Sequence, residues 1–256
     1  MNYIKAFFNY RFLLGELVKK GIRLKYRRSY LGILWSLIEP LLMTCVLVMV
    51  FGTLFGRKPG FPLYVITGRL IYSCFTSGTK SAARSIRSNA PMIKKVYIPK
   101  YLYPLSSVID TFVFFLISLI ALVAVDIYCK VIPTWHIVQF IPALVFLFIL
   151  TLGVGLILST LAVFFRDVEY LWNILLLVIM YMSAIFYYPE RLLRSGYAWI
   201  LDYNPIYHII EMCRGGLLGY SVSPAKYLYV AAWSFGSLVL GIVLFKKKQE
   251  DFILHI

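Results

Sequence analysis

Long uncharged runs alternate with short charged ones along most of this chain. Crossing a bilayer takes about 20 mostly apolar residues, and six runs reach that length. They predict spanning helices from about Leu31 to Phe55, Pro62 to Lys80, Pro104 to Val125, within the charge-free stretch Val131 to Phe165, Tyr170 to Tyr188, and Tyr227 to Phe245. Tight connections separate several of them, at Arg57-Lys58-Pro59-Gly60, Asp126 to Trp135 and Arg166-Asp167-Val168-Glu169. A longer basic loop joins the second span to the third.

Ahead of the first span the period changes. Over residues 2–27, at about 100° per residue, Asn2, Lys5, Asn9, Glu16, Lys19, Lys20, Arg23 and Arg27 share one sector. Ile4, Phe7, Phe8, Tyr10, Leu14, Leu17, Val18 and Ile22 fall largely opposite, while Arg11, Phe12 and Lys25 break the pattern. Such a helix lies at a membrane interface or packs on another protein. The stretch Lys25 to Pro40 turns it abruptly into the first span, since no charge occurs from Pro40 to Gly56. Between the fifth and sixth spans, Pro189 to Lys226 is apolar but interrupted by Glu190, Arg191, Arg194, Asp202, Glu211, Arg214 and Lys226. Asn204-Pro205 and Gly215-Gly216 punctuate it. It reads as two short re-entrant helices, whose backbone at that depth must be protein-buried or line water.

Composition agrees with a membrane protein: 61% of the 256 residues are apolar and only 14% charged, against about 25% charged in soluble domains. The net charge of +15 would suggest nucleic acid in a soluble protein. Here the cations cluster at span ends. With the N-terminus in the cytoplasm, eighteen Lys and Arg fall inside and seven outside, so both termini are expected to be cytoplasmic. The N-terminus lacks a short apolar core with a small-residue cleavage site, so the first span is expected to stay as a signal anchor. Cys45, Cys74, Cys129 and Cys213 have no metal-like spacing and read as small buried hydrophobes, with a Cys129–Cys213 bridge as the one pairing to consider.

Catalytic signatures are weak. Gly78-Thr79-Lys80-Ser81 lacks the glycine spacing of a phosphate loop, and no Gly-x-Ser-x-Gly elbow occurs. His208-x-x-Glu211 offers two ligands without a third. Asp167-Val168-Glu169, beside Arg166, reads as an ion-paired turn. Charges inside spans carry more weight, because intramembrane ionisable residues usually face a bundle interior or an aqueous path. They are Glu39 and Asp110, expected toward the cytoplasmic side, and Arg69, expected toward the outer side and therefore not paired with Asp110. The aromatics Trp35, Tyr181, Phe186, Tyr187 and Tyr188 either pack a core or form faces along which sugar rings could slide. The cytoplasmic loop carrying Met92, Ile93, Lys94, Lys95, Val96 and Tyr97 between two prolines is either an ordinary basic loop or a helical knob for a partner's groove.

Lys25 to Pro40, the Asn89-x-x-Met-Ile-Lys-Lys-Val-Tyr-Ile-Pro loop, the Phe165-Arg166-Asp167 turn and Asn204-Pro205, in this order on six spans, together resemble ABC-2 type permeases. Within them the chain is most similar to the permeases of O-antigen polysaccharide exporters (Wzm type), over essentially its whole length. The resemblance implies an all-α polytopic fold and one transmembrane domain over residues 1–256. Residues 1–28 would be a cytoplasmic interface helix, 88–98 a coupling helix docking on an ATPase, and 190–219 periplasmic gate helices. It implies a homodimer with two separate ATPase subunits (Wzt type) in a bacterial inner membrane. This chain would need no cofactor, with ATP and Mg on the partner. The first and fifth spans would line a pore between the two copies.

On that resemblance the expected role is a non-catalytic permease for a lipid-linked polysaccharide. Arg27, Arg28 and Tyr30 would form the substrate entrance, the arginines meeting a lipid pyrophosphate. Rival readings are an exporter of capsule, teichoic acid or a small hydrophobic compound, a polytopic membrane transferase, and a passive channel. A transferase would need a cluster of carboxylates or histidines at one membrane face, and the sequence offers none.

Overall fold

The computed structural model describes residues 10–26, 30–55, 60–96, 98–132, 134–190, 192 and 196–255. Among these, every regular element is helical. The first helix, α1 (Arg11–Tyr26), lies within the expected interface segment. A short 3₁₀ turn, Gly32–Leu34, leads into α2 (Trp35–Phe55). Next come α3 (Phe61–Ser88), the four-residue α4 (Ala90–Ile93) and α5 (Leu102–Cys129). A second 3₁₀ turn, Trp135–Gln139, precedes α6 (Phe140–Phe164), and α7 (Val168–Tyr181) follows. The chain ends with α8 (Trp199–Asp202), α9 (Pro205–Leu218), α10 (Pro224–Lys248) and α11 (Phe252–His255).

Four helical stretches are long and apolar enough to cross a bilayer: Gly32–Thr53, Leu102–Cys129, Trp135–Phe164 and Pro224–Lys248. They coincide with the first, third, fourth and sixth expected spans. The other two differ for physical reasons. Helix α3 has ample length, but hydroxyl residues and Arg69 dilute its apolar character. It can tolerate them because it occupies the middle of the bundle, packed against α2, α5, α6 and α9, with Leu63, Val65, Ile66, Ala82 and Ile86 fully buried. It also continues two turns past Lys80, where the sequence reading ended it. Helix α7 has only 14 residues. At 1.5 Å per residue it is about 21 Å long, short of the roughly 30 Å hydrocarbon core.

Side chains from α9 and the turn before it explain where α7 stops. Asn204 caps α9, its Oδ1 accepting from the Ile206 amide at 3.0 Å, while its Nδ2 donates to the Met182 carbonyl at 3.1 Å and to Ser183 Oγ at 2.9 Å. Arg214, 2% exposed, donates from Nη1 to the Ala184 carbonyl, and from Nη2 to those of Ile185 and Tyr64, each at 3.1 Å. Its Nε adds a bond to Tyr64 O at 3.2 Å. Carbonyls that would otherwise seek amides of a next helical turn are thereby satisfied by side chains. Ala184 adopts a left-handed φ of 45° within this turn.

The main core joins α3, α5, α6 and α9. A second core, at the opposite end, gathers Leu17 of α1, Ile86 of α3, Ile93 and Ile98 of the loop around α4, Tyr103 of α5, Phe245 of α10 and Phe252 of α11. Helices α6 and α10 approach closely through glycine. A Cβ on Gly153 would lie 2.5 Å from the Leu238 amide, and one on Gly241 would lie 2.6 Å from the Gly153 carbonyl. Small residues at helix crossings are how membrane helices bring backbones together. The Cys129–Cys213 bridge considered from sequence is not formed: all four thiols are free.

Two substitutions test this packing. Gly153→Val drives a branched side chain into the α10 backbone and should destabilise the fold by about 2 kcal/mol or more. Its thermal unfolding midpoint in detergent should fall, and an unchanged midpoint would contradict the crossing. Arg214→Met fills similar space but withdraws four donor contacts from the carbonyls of Tyr64, Ala184 and Ile185, at a cost of about 3 kcal/mol or more. Arg214→Lys should recover little of this, because one ammonium cannot reproduce the guanidinium fork.

Candidate functional site

Three polar centres stand out on the bundle. The first is a cavity of about 300 Å³ walled by α2, α3, α5 and the end of α1. Helix α2 contributes Trp35, Ser36, Glu39 and Pro40; α3 contributes Arg69, Leu70, Ser73, Cys74 and Ser77. Helix α5 supplies Thr111, Phe114, Phe115 and Ser118, and α1 supplies Lys25. Arg69, Ser73 and Ser77 recur every fourth residue and so share one face of α3. The separation expected from sequence, with Glu39 inward and Arg69 outward, is therefore corrected: both residues line one cavity. Arg69 lies about two turns into α3, and Glu39 lies about one turn into α2.

Lys25 packs over the Phe114 ring, with Nζ 4.1 Å from its centroid. Burial pushes the Lys25 ammonium below its ordinary pKa, while Glu39 and Asp110 pull it back up. Asp110 itself lies against α1. A Cβ on Gly21 would overlap its carboxylate, so glycine at this position lets α1 rest on α5. Asp110 Oδ1 is buried without a hydrogen bond among the described residues.

The second centre is the turn after α7. Tyr181 is exposed, but Phe186 is 7% exposed and stacks on Phe51 at a centroid distance of 5.1 Å. Tyr187 donates from its hydroxyl to the Tyr181 carbonyl at 2.6 Å. Tyr188 packs on Tyr64 at 4.8 Å and Phe61 at 5.7 Å. Trp35 stands apart, in the polar cavity. The five aromatics singled out from sequence thus fall into two groups, and Phe186 belongs to the wall behind a surface. Arg214, which the sequence presented only as an interrupting charge, holds this turn, with its guanidinium carbon 3.3 Å from the Tyr64 ring centroid. A lone arginine in a Gly-rich apolar stretch was the available signal.

The third centre lies at the end where α3 meets α7. Glu169 takes Arg84 Nε at 2.7 Å and also pairs with Arg87. The ion-paired turn expected beside Arg166 therefore pairs Glu169 with α3 instead. Nearby, Lys94, Lys95 and Val96 are exposed and Met92 is half-buried, whereas Ile93 is buried in the second core. Ile93 anchors the loop and cannot serve as a docking knob. Tyr30 is fully exposed. Arg27, Arg28 and Tyr97 lie outside the described residues. On the opposite side, the His208–Glu211 pair is engaged elsewhere: Lys226 Nζ sits 2.8 Å from Glu211 Oε2, and His208 Nδ1 lies 3.8 Å from the same oxygen.

Known proteins resemble this sequence along nearly its whole length. The sequence profile described as ABC-2 type transporter matches residues 13–218. An O-antigen export system permease protein RfbA of Klebsiella pneumoniae is 28% identical over 257 residues, covering 97% of this chain and 98% of that protein. Its namesake from Myxococcus xanthus is 26% identical over 97% of both chains. The polysialic acid transport protein KpsM of Escherichia coli is 22% identical over 90% of this chain and 91% of its own length. The profile match spans well over half of the sequence, and the chain belongs to the ABC-2 type transporter family.

Proposed function

We propose that this chain is the permease subunit of an ATP-driven exporter that moves a lipid-linked O-antigen polysaccharide across the bacterial inner membrane, through a channel between two copies of itself. The observation that carries this reading is a polar face left open in an apolar bundle. Glu39 of α2 and Ser73 and Ser77 of α3 are exposed. They are flanked by the sparsely buried helices α2 and α7, of which α7 buries only Leu176. Hydrocarbon is a poor neighbour for such groups, and a second copy enclosing an aqueous path is a good one. The RfbA relatives, named as O-antigen export permeases, supply the substrate class.

In this reading α2, α3, α5, α6, α7 with its following turn, and α10 make six crossings, with both termini cytoplasmic. Two ATPase subunits, holding ATP and Mg, push on the coupling loop at 88–98 and on the interface helix at 1–28. The lipid-linked chain arrives from the cytoplasmic leaflet, where Arg27 and Arg28 meet its pyrophosphate beside Tyr30. Sugars then pass Trp35 and the aromatic surface of Tyr181, Tyr187 and Tyr188, backed by Phe186. Weak, repeated apolar contacts to ring faces suit processive movement, because no single register traps the polymer. The segment 190–219 closes the outer end.

KpsM and the Neisseria meningitidis capsule polysaccharide export inner-membrane protein CtrC, 26% identical over 93% of this chain, favour a second reading in which the cargo is a capsular polymer. Deleting the gene separates the two, since the polymer that accumulates on the cytoplasmic side identifies the cargo.

Two predictions test the machinery. Met92→Asp, or Lys94→Glu with Lys95→Glu, should abolish co-purification with the ATPase subunit, and retained binding would remove the coupling assignment. Arg27→Ala with Arg28→Ala should reduce export about tenfold or more, from the loss of charge-assisted contacts to phosphate, while leaving the assembled complex intact. Normal export by that variant would remove the entrance assignment.

A further inference from the structure

The cavity between α1, α2, α3 and α5 has the donors of an anion site. Arg69 is half-buried, and among the described residues it makes no hydrogen bond and no ion pair within 4.0 Å. Three other arginines of the bundle are matched: Arg214 to three carbonyls, and Arg84 and Arg87 to Glu169. A guanidinium without a protein acceptor at this depth calls for an acceptor from elsewhere.

The hydroxyls on the same face behave in the same way. Helical Ser and Thr usually return their hydroxyl to a carbonyl one turn back, and Thr67, Thr79 and Ser85 of α3 do so, at 2.6, 2.8 and 2.7 Å. In the cavity, Ser36, Thr111 and Ser118 are likewise committed to carbonyls. Ser73 and Ser77 are exposed into the cavity and have no such bond among the described residues. Arg69, Ser73 and Ser77 therefore form a line of donors about 12 Å long down one face of α3.

Charge narrows the ligand. Lys25 has the carboxylates of Asp110 and Glu39 near it, which leaves Arg69 as the cation of the cavity open to an added anion. A monoanion matches that balance, and a dianion must contend with Glu39. The volume of about 300 Å³ is worth roughly ten water molecules of liquid, enough for a phosphate with a small substituent. Beside the mouth, α2 leaves Leu42, Met43 and Val46 exposed, an apolar surface on which the acyl chains of a lipid anion can lie.

We infer that this cavity binds the phosphodiester headgroup of a membrane phospholipid, with Arg69 as its anchor, Ser73 and Ser77 as further donors and Glu39 as the group that selects a single negative charge. The site is independent of which polymer is exported.

The test uses the full-length protein, purified in detergent and stripped of lipid, with bound lipid counted by native mass spectrometry. Phosphatidylglycerol is the probe, diacylglycerol the uncharged control and a polyprenyl pyrophosphate the competitor. Phosphatidylglycerol should saturate at one site per chain, and diacylglycerol should not displace it. Arg69→Gln should weaken binding about tenfold or more, as expected for loss of a charge-assisted contact. Ser73→Ala with Ser77→Ala should weaken it less, and Glu39→Gln should admit the pyrophosphate.

Unchanged phosphatidylglycerol binding by Arg69→Gln would overturn the proposal, as would equal binding of diacylglycerol. Tighter binding of the pyrophosphate by the parent protein would overturn the phosphodiester assignment. Restoration of folding by Glu39→Arg with Arg69→Glu, without phosphatidylglycerol binding by the parent protein, would show an ion pair across the cavity and overturn the anion site. Should Arg69→Gln fail to fold, the double serine variant carries the test, with weaker phosphatidylglycerol binding expected and unchanged binding overturning the proposal.

Discussion

One half of this bundle depends on the guanidinium of Arg214. A permanent cation in an apolar core costs several kcal/mol unless its donors are matched. Here four donor contacts reach three carbonyls, on Tyr64 of α3 and on Ala184 and Ile185 of the turn after α7. Gly68 leaves the room, since a Cβ there would sit 2.7 Å from Nη2. The Tyr64 hydroxyl reinforces the joint by donating to the carbonyls of Ala184 and Tyr187. With its carbonyls taken by side chains, the chain after Tyr181 leaves the helix and turns inward. Phe186 then meets Phe51 and Tyr188 meets Tyr64. The aromatic surface follows from how one arginine is satisfied.

The other end is organised by apolar packing. Leu17, Ile93, Ile98, Tyr103, Phe245 and Phe252 bring α1, the loop around α4, α5, α10 and α11 into one core. Lys100 adds a bond to the Gln249 carbonyl, and Glu169 fastens α7 to Arg84 and Arg87 of α3. Close-packed interiors transmit displacement instead of absorbing it. A force on exposed Lys94 and Lys95 would reach α1 and α5 through Ile93, and a shift of α3 would reach α7 through Glu169. The exposed Arg84 contact is weak by itself; Arg87 and the low exposure of Glu169 give the joint its value.

Much of this was legible in the sequence, and the parts that were not share a cause. Charge-free length located α2, α5, α6 and α10 because a bilayer crossing imposes a length and a composition. Asn204-Pro205 marked the start of α9 because Asn caps and Pro tolerates the first turn. Lipid imposes much less on α3, which is wrapped by other helices, so its end and its polar face escaped a hydropathy reading. The stop of α7 at Tyr181 is set by Asn204 and Arg214, more than twenty residues away, and no local pattern records it. Depth counted from span ends placed Arg69 and Glu39 apart, because the count assumed helices of equal length starting at one level. Ile93 looked like part of an exposed knob, but its burial is decided by partners on α1, α5 and α11.

The polar face of α3 also constrains how such a chain can live in a bilayer. Arg69, Ser73 and Ser77 open toward α2, while Arg84 and Arg87 open toward α7. The face thus passes between the two helices that the rest of the chain covers least. If hydrocarbon met that face, the unpaired donors would penalise the isolated chain. Within the cavity Glu39 is the one carboxylate among the lining residues that faces those donors. The remaining arrangements bring water, a polar cargo or a phosphate-bearing lipid to α3, held there by a second set of helices. The homodimer proposed above would do so if α2 and α7 of each copy enclosed the face of the other. An interface of that kind can be apolar at its rim and wet along its centre, so it can separate without exposing a dry polar surface.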